Sequence, residues 1–236
     1  MRGTLYGVGV GSGDPELITL KAVRIIRQCD VVAVPQSRQQ DVELVAYNIA
    51  KAAVPELEEK QLVAVYMPMV RDRAELNRCH DQGAQQLAQL LDQGKNVAFL
   101  TLGDPTVYST YIYLHKRVRR LGYQAEIIPG VPSFCAVAAR LGISLVEGSE
   151  PLHVIPGSYP GAEEQIAGGG TKVIMKTGKQ LPRILQLLRE SGQLQDAALV
   201  HKCGMEGEQV FTDMEQLDER AGYFSVLVVR PEEEQA

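Results

Sequence analysis

Three short stretches carry residue types able to grip a small molecule through the backbone. Leu5–Ala22 reads LYGVGVGSGDPELITLKA, with Gly7, Gly9, Gly11 and Gly13 on alternate residues before Asp14-Pro15. Phe99–Ser109 reads FLTLGDPTVYS, and Ile127–Ser133 reads IIPGVPS. In each, an apolar run breaks at glycine and gives way to a helical pattern. Glycine reaches positive φ and has no Cβ, so the backbone of such a bend can be approached closely. Asp14 and Asp104 suit helix caps, and Pro15 and Pro105 suit the position after a cap. Taken singly, each bend also reads as a tight strand-to-helix turn with no ligand, and Asp104 as a cap and nothing more.

The spacing excludes the common phosphate loops. G-x-G-x-x-G is absent, because the glycines fall on every second residue. The second strand ends in Val34-Pro35-Gln36-Ser37-Arg38, with no acidic residue to hold a ribose. No Gly-Lys-Ser/Thr follows either, which excludes a P-loop. No Ser-His-Asp or Cys-His pattern points to a side-chain nucleophile. The four cysteines, Cys29, Cys79, Cys135 and Cys203, form no C-x-x-C pair. That argues against a disulfide framework and a zinc site, and fits a reducing cytoplasm. His80 and His201 each lack a partner at ligand spacing, so no metal site is expected.

The elements that must position these bends alternate between strand and helix. Strands are expected at Leu5–Val10, Asp30–Pro35, Gln61–Met67, Asn96–Leu102 and Ala125–Ile128. Helices are expected at Glu16–Gln28, Val42–Ala53, Ala74–Leu91 and Val107–Leu121. Short β-rich runs between helices predict a parallel sheet with helices on both faces. After a helix at Pro132–Leu141 the pattern changes. Strands follow at His153–Pro156, Lys172–Lys176, Ala198–Cys203, Gln209–Phe211 and Phe224–Arg230, with helices at Leu181–Ser191 and Met214–Glu219. The short link between Ala198–Cys203 and Gln209–Phe211 predicts a hairpin, hence a mixed sheet. The fold class is therefore α/β, as two domains, 1–130 and 131–236, with a ligand cleft between them. Gly157–Gly170 and the acidic tail Glu232–Ala236 read as flexible.

At 236 residues, 45% hydrophobic and 22% charged, the composition is that of a soluble globular protein. No apolar run is long enough to span a membrane. Met1 leads within three residues into the first strand, leaving no room for a signal peptide. A cytoplasmic protein is expected. The net charge of −5 argues against a broad nucleic-acid surface.

The three bends together are more specific than any one. G-x-G-x-G-D-P, L-G-D-P-x-x-Y-S and I-P-G-V-P-S, at the ends of the first, fourth and fifth strands, resemble the tetrapyrrole methylases. The resemblance covers essentially the whole chain. It implies S-adenosylmethionine (SAM) as methyl donor, bound between two α/β domains, and a homodimer acting on a precursor of sirohaem or cobalamin. HVIPGSY at 153–159, VIMKTGK at 173–179 and YFSVLVVR at 223–230 look most like the branch that methylates C20 of precorrin-2 or cobalt-factor II. Carried over by position, the resemblance implies SAM contacts at Ser12, Leu102, Gly103, Asp104, Val107, Pro132, Ser133, Thr177 and the turn Cys203–Gly204. Ser12 stands where Pro is common, Pro132 where Ser or Thr is frequent, and Thr177 where many relatives have Met. At each, backbone or van der Waals contact is expected to matter more than a functional group.

The implied reaction is in-line displacement at a methyl carbon, with the attacking ring carbon held about 3–3.5 Å away. A proton must then leave that carbon, and Asp104 is the candidate base, against its plainer role in shaping the turn. The implied acceptor is a polycarboxylate, so cations are needed. Arg38, after the second strand, and Arg71 and Arg73, after the third, are the expected substrate contacts, with solvated loop charges as the alternative. Lys176 and Lys179 are further candidates. His115-Lys116-Arg117 with Arg119-Arg120 is expected to be a solvated or subunit-facing helix surface. Any cobalt would belong to the substrate. Other readings stay open: methylation of another ring carbon or of an RNA ribose, or a module that binds a tetrapyrrole or nucleotide without chemistry. A nicotinamide dehydrogenase is disfavoured by the missing fingerprint.

Overall fold

The valine-rich runs of the N-terminal half become a parallel sheet, as strands buried on both faces should. The computed structural model describes residues 1–37, 44–70, 72–217 and 224–230. The chain divides into two units, Met1–Pro132 and Ser133–Ala236. In the first, β1 (Thr4–Gly9), β2 (Val31–Gln36), β3 (Gln61–Tyr66), β4 (Val97–Thr101) and β5 (Gln124–Ile128) lie in the order β3-β2-β4-β1-β5. Every pairing among them is parallel. They alternate with α1 (Leu20–Gln28), α2 (Val45–Ala53), α3 (Arg73–Asp92) and α4 (Tyr111–Arg120).

Strand periodicity divides the core between the two faces. Leu5, Val97 and Phe99 pack with Leu87 and Leu91 of α3 and with Tyr111 and Leu114 of α4. Val8, Val32, Ala98 and Leu100 are fully buried on the opposite face, which α1 and α2 cover. The connections leaving β1 and β4 run in opposite directions. α1 carries the chain past β4 to β2, and α4 carries it past β1 to β5. The carboxyl ends of β1 and β4 therefore form a topological switch point, where open α/β sheets bind their ligands.

The second unit holds a mixed sheet. β6 (Leu152–Pro156), β7 (Thr171–Met175), β8 (Ala197–His201), β9 (Gln209–Phe211) and β10 (Ser225–Val229) lie in the order β6-β7-β10-β8-β9. β6 and β7 are parallel, the other neighbours are antiparallel, and β8–β9 is the expected hairpin. α6 (Ala162–Ala167) and α7 (Leu181–Glu190) cover Ile155, Ile174, Leu199 and Leu227 on one face. α5 (Ser133–Leu141) places Val137 against Val173, Val200 and Val226 on the other.

Four expectations change. Glu16–Gln28 is not one helix: Asp14 caps a single 3₁₀ turn, Pro15–Leu17, and Thr19 then caps α1 by accepting from Ala22 N at 3.1 Å. Val107–Thr110 stays outside α4. The glycine-rich stretch read as flexible contains α6, which buries Ala162 and Ile166. Met214–Gln216 is a 3₁₀ turn rather than a longer helix. The tail 232–236 lies outside the described residues.

Candidate functional site

Because β4, β1 and β5 are neighbours, the bends at their carboxyl ends are neighbours too. Val10 N donates to Thr101 O at 3.0 Å, and Gly103 N to Gly11 O at 2.7 Å. Gly11 and Gly103 form an antiparallel bridge, both at positive φ, 80° and 70°. Gly9, Gly103 and Gly130 meet backbone to backbone. A Cβ on Gly9 would lie 2.6 Å from the Gly103 carbonyl oxygen and from Gly130 N, and one on Gly130 would collide with the same oxygen. A Cβ on Gly7 would enter the Tyr111 ring. At these positions the close approach announced by the glycines is chain on chain: it lets three loops stack at the switch point.

Asp104 ties that stack together and is only 8% exposed. Its Oδ1 accepts from Thr106 N at 2.7 Å and from Thr106 Oγ1, while Oδ2 accepts from Gly130 N at 3.0 Å. It closes its own turn and braces the β5 bend, and it does not cap α4. Both oxygens are committed to donors, which suits a strut better than a base waiting for a proton. Further along, Thr101 Oγ1 and Ser109 Oγ lie 2.9 Å apart, and Ser109 Oγ accepts from Tyr111 N at 3.2 Å. Leu102, Val107 and Pro132 are half-buried in these loops. Ser12 is 5% exposed, and among the described residues its hydroxyl has no hydrogen-bond partner. Such an orphan costs about 1–3 kcal/mol unless a ligand or water satisfies it.

In the second unit, Thr177 follows β7 and is 2% exposed; its hydroxyl also has no partner among the described residues. Thr171, at the start of the same strand, is the third buried hydroxyl of this kind. Lys176 precedes Thr177 at φ 55°, and burial pushes its ammonium below the ordinary lysine range. Gly204 turns at φ 72° between β8 and β9. Its N–H donates to Glu208 Oε2 at 2.8 Å, and Arg140 Nε of α5 donates to Oε1 at 2.6 Å. The Gly204 amide, then Arg140, hold the Glu208 carboxyl below its usual range. The Gly204 amide is thus already engaged. Ser133 is half-buried as the first residue of α5.

Of the three arginines expected to meet substrate, Arg38 and Arg71 lie outside the described residues. Arg73 opens α3 beyond the carboxyl end of β3, exposed and with no ion pair among the described residues. A cation there opposes the positive end of the helix dipole, so local stability does not explain it. Lys179 is exposed in the 3₁₀ turn Gly178–Gln180. The basic cluster on α4 is not uniformly solvated. His115 is buried with Nδ1 3.1 Å from the Tyr111 hydroxyl, and Arg117 pairs with Asp81 at 2.6 Å. Lys116, Arg119 and Arg120 are exposed. His80 stacks on Tyr113, and His201 Nδ1 sits 3.0 Å from Ser225 Oγ. Among the described residues no group of three or more His, Cys, Asp and Glu could hold a metal, and no helix is long and apolar enough to cross a membrane.

Compared with known proteins, residues 4–218 match the family model described as Tetrapyrrole (Corrin/Porphyrin) Methylases. A precorrin-2 C(20)-methyltransferase of a Sinorhizobium species is 34% identical over 239 residues, covering 96% of this chain and 95% of that protein. The cobalamin biosynthesis protein CobIJ of Mycobacterium tuberculosis is 35% identical over 240 residues, 97% of this chain. The chain spans about half the length of that relative, 46%. Among solved structures, uroporphyrin-III C-methyl transferase from Thermus thermophilus, complexed with S-adenosyl homocysteine, gives a TM-score of 0.68 at 22% identity over 97% of each chain. A likeness at that identity shows a shared fold.

Proposed function

The chain belongs to the tetrapyrrole methylases, and on that premise we propose that it transfers a methyl group from SAM to C20 of precorrin-2 or cobalt-factor II. Full-length similarity to a protein named for that reaction supports the choice of carbon. The structural observation that carries the reading is the buried Ser12 hydroxyl, without a partner among the described residues, beside the stacked glycine bends at the switch point. Those bends offer backbone donors and acceptors, and their formal charges are the carboxylates of Asp14 and Asp104, which suits a cationic sulfonium carrying an adenosine and an amino-acid tail.

When bound, SAM supplies an electrophilic methyl carbon whose sulfonium leaves as a neutral thioether. The chain's part is positional. Ser12, Leu102, Gly103, Asp104, Val107 and Pro132 are proposed donor contacts in the first unit, and Ser133, Thr177 and Gly204 in the second. That the hydroxyls of Ser12 and Thr177 have no partner among the described residues supports a polar role for these two positions as well as van der Waals contact. Asp104 holds the turn against the β5 bend. Arg38, Arg71 and Arg73 are proposed partners for the acceptor's carboxylates. The active form is proposed to be a cytoplasmic homodimer that binds neither nucleic acid nor membrane.

The test is turnover of purified protein with SAM and each acceptor. C20-methylated product formed in step with S-adenosylhomocysteine supports the proposal. Methylation of uroporphyrinogen III instead, or of no tetrapyrrole, contradicts it.

A further inference from the structure

Among the described residues, three that are not glycine hold positive φ: Tyr108 at 47°, Lys176 at 55° and Lys202 at 53°. Left-handed backbone is unfavourable for a residue with a Cβ, and it persists where the surroundings over-determine it. Lys202 opens the link from β8 to β9, which turns left-handed again at Gly204, φ 72°, and Gly207, φ 80°. Two residues suffice to close a hairpin. This one takes Lys202–Glu208, and binding residues gather on loops that a rigid scaffold holds in place.

The link is held in one shape from inside. Lys202 N donates to Phe224 O at 3.0 Å, Met205 N to Lys202 O at 2.8 Å and Glu208 N to Met205 O at 3.1 Å. Gly204 N donates to Glu208 Oε2, and Arg140 Nε donates to Oε1. With the Gly204 amide, then Arg140, as donors, the Glu208 carboxyl lies below its usual range and is ionised at neutral pH. Arg140 stands in the last turn of α5, whose first residue is Ser133. One carboxylate therefore joins two elements of the second unit, each carrying a proposed SAM contact, Ser133 and Gly204.

Stability does not call for this bridge. β8 and β9 pair at Leu199↔Phe211, Val200↔Val210 and His201↔Gln209, and Phe211 packs on the core under α6 and α7. Val137 seats α5 on the other face. The Arg140 side chain is 53% exposed and that of Glu208 22%, and ion pairs open to water add little to stability. What the bridge does fix is the placing of one peptide group. With its amide committed to Glu208, the backbone group that Gly204 can offer a ligand is its carbonyl.

We propose that Glu208 and Arg140 are positioning residues of the SAM site: Glu208 holds the Gly204 bend by its amide, and Arg140 holds Glu208. The bend then meets SAM through its carbonyl, which accepts an N–H or O–H from the adenosine or the amino-acid tail. The assignment rests on the proposed methyltransferase function and adds to it two residues that act through Gly204.

Glu208→Gln and Arg140→Gln remove one charge each, Arg140→Lys keeps a charged donor, and a double variant combines the two Gln changes. The readouts are thermal midpoint, calorimetric affinity for S-adenosylhomocysteine, and the KM for SAM against kcat. Both Gln variants should melt within about 4 °C of wild type. Each should bind S-adenosylhomocysteine about five- to tenfold more weakly, and raise the KM for SAM more than it lowers kcat. The double variant should bind no more weakly than Glu208→Gln, because Arg140 acts through that carboxylate. Arg140→Lys should recover most of the affinity. Unchanged affinity in Glu208→Gln overturns the assignment alone. So does a larger fall in melting in both Gln variants, which makes the bridge structural. So do additive losses in the double variant, and so does a Lys variant as impaired as Arg140→Gln. Wild-type protein that binds no S-adenosylhomocysteine overturns the proposed function, and this assignment falls with it.

Discussion

Asp104→Ala removes the acceptor of three donors at once: Thr106 N, Thr106 Oγ1 and Gly130 N. Two of these are backbone amides beside a carboxylate only 8% exposed. A buried donor left unpaired costs about 1–3 kcal/mol, and water entering the vacated space offsets part of it. The expected loss of stability is about 2–4 kcal/mol. The bends at β4 and β5 then lose their brace, so SAM affinity should fall about ten- to a hundredfold, or about 1.4–2.8 kcal/mol. Asp104→Asn keeps the shape but turns one oxygen into a donor facing another donor. About half of the stability effect should remain. A general base predicts a different pattern: fold and affinity preserved, with kcat down about 10²–10⁴-fold. Thermal melts, calorimetry with S-adenosylhomocysteine, and turnover at saturating SAM separate the two. If Asp104→Asn loses about a hundredfold or more in kcat while melting and binding like wild type, the strut reasoning is wrong.

Other expectations follow from the same geometry. Gly130→Ala and Gly9→Ala push a Cβ against backbone atoms that cannot rotate away; each should cost at least about 2 kcal/mol and most of the SAM affinity, and a wild-type melt from either would contradict the stacked-loop geometry. Desolvation lowers the pKa of His80, His115 and His201, so the folded chain binds fewer protons than the unfolded one. The stability of their neutral forms is full above the unfolded value near 6.5 and is lost as pH falls through the depressed folded values. The melting temperature should drop on acidification below about pH 6.5, and a flat profile down to about pH 5 would refute this. Burial pushes the Cys29 thiol up to about 12, Cys79 is also buried, and Cys135 is exposed. Alkylation followed by mass spectrometry should mark Cys135 first and Cys29 only on unfolding; early modification of Cys29 would contradict its burial.

The parallel sheet is legible in the chain because its strands are short, continuous and β-branched, and its helices are long enough to show their period. The same test fails at Ala162–Ala167: six residues are too few for a helical period to stand out among glycines at 157, 161 and 168–170. The three bends are legible as places of close approach, but not what approaches. The partners of Gly9 lie at Gly103 and Gly130, far along the chain, and only the strand order brings them together. Asp104-Pro105 reads as a cap by local rules, and a local rule cannot see Gly130 N. Thr106 was visible, since Asp with a hydroxyl residue two positions on is an Asx-turn pattern. His115 stands four residues after Tyr111 on α4, a spacing that marks them as partners. The clamp of Glu208 on Gly204 and the strain at Tyr108 have no counterpart in composition or periodicity.

The central claim is a methyl group moved from SAM to one carbon of one class of macrocycle. Incubating the protein with SAM carrying a ¹³C methyl and with precorrin-2 or cobalt-factor II, then reading the product by mass and NMR, tests it directly. One labelled methyl on C20, formed in step with S-adenosylhomocysteine, is the expected result. A labelled methyl on another carbon, or none with either acceptor, would contradict it.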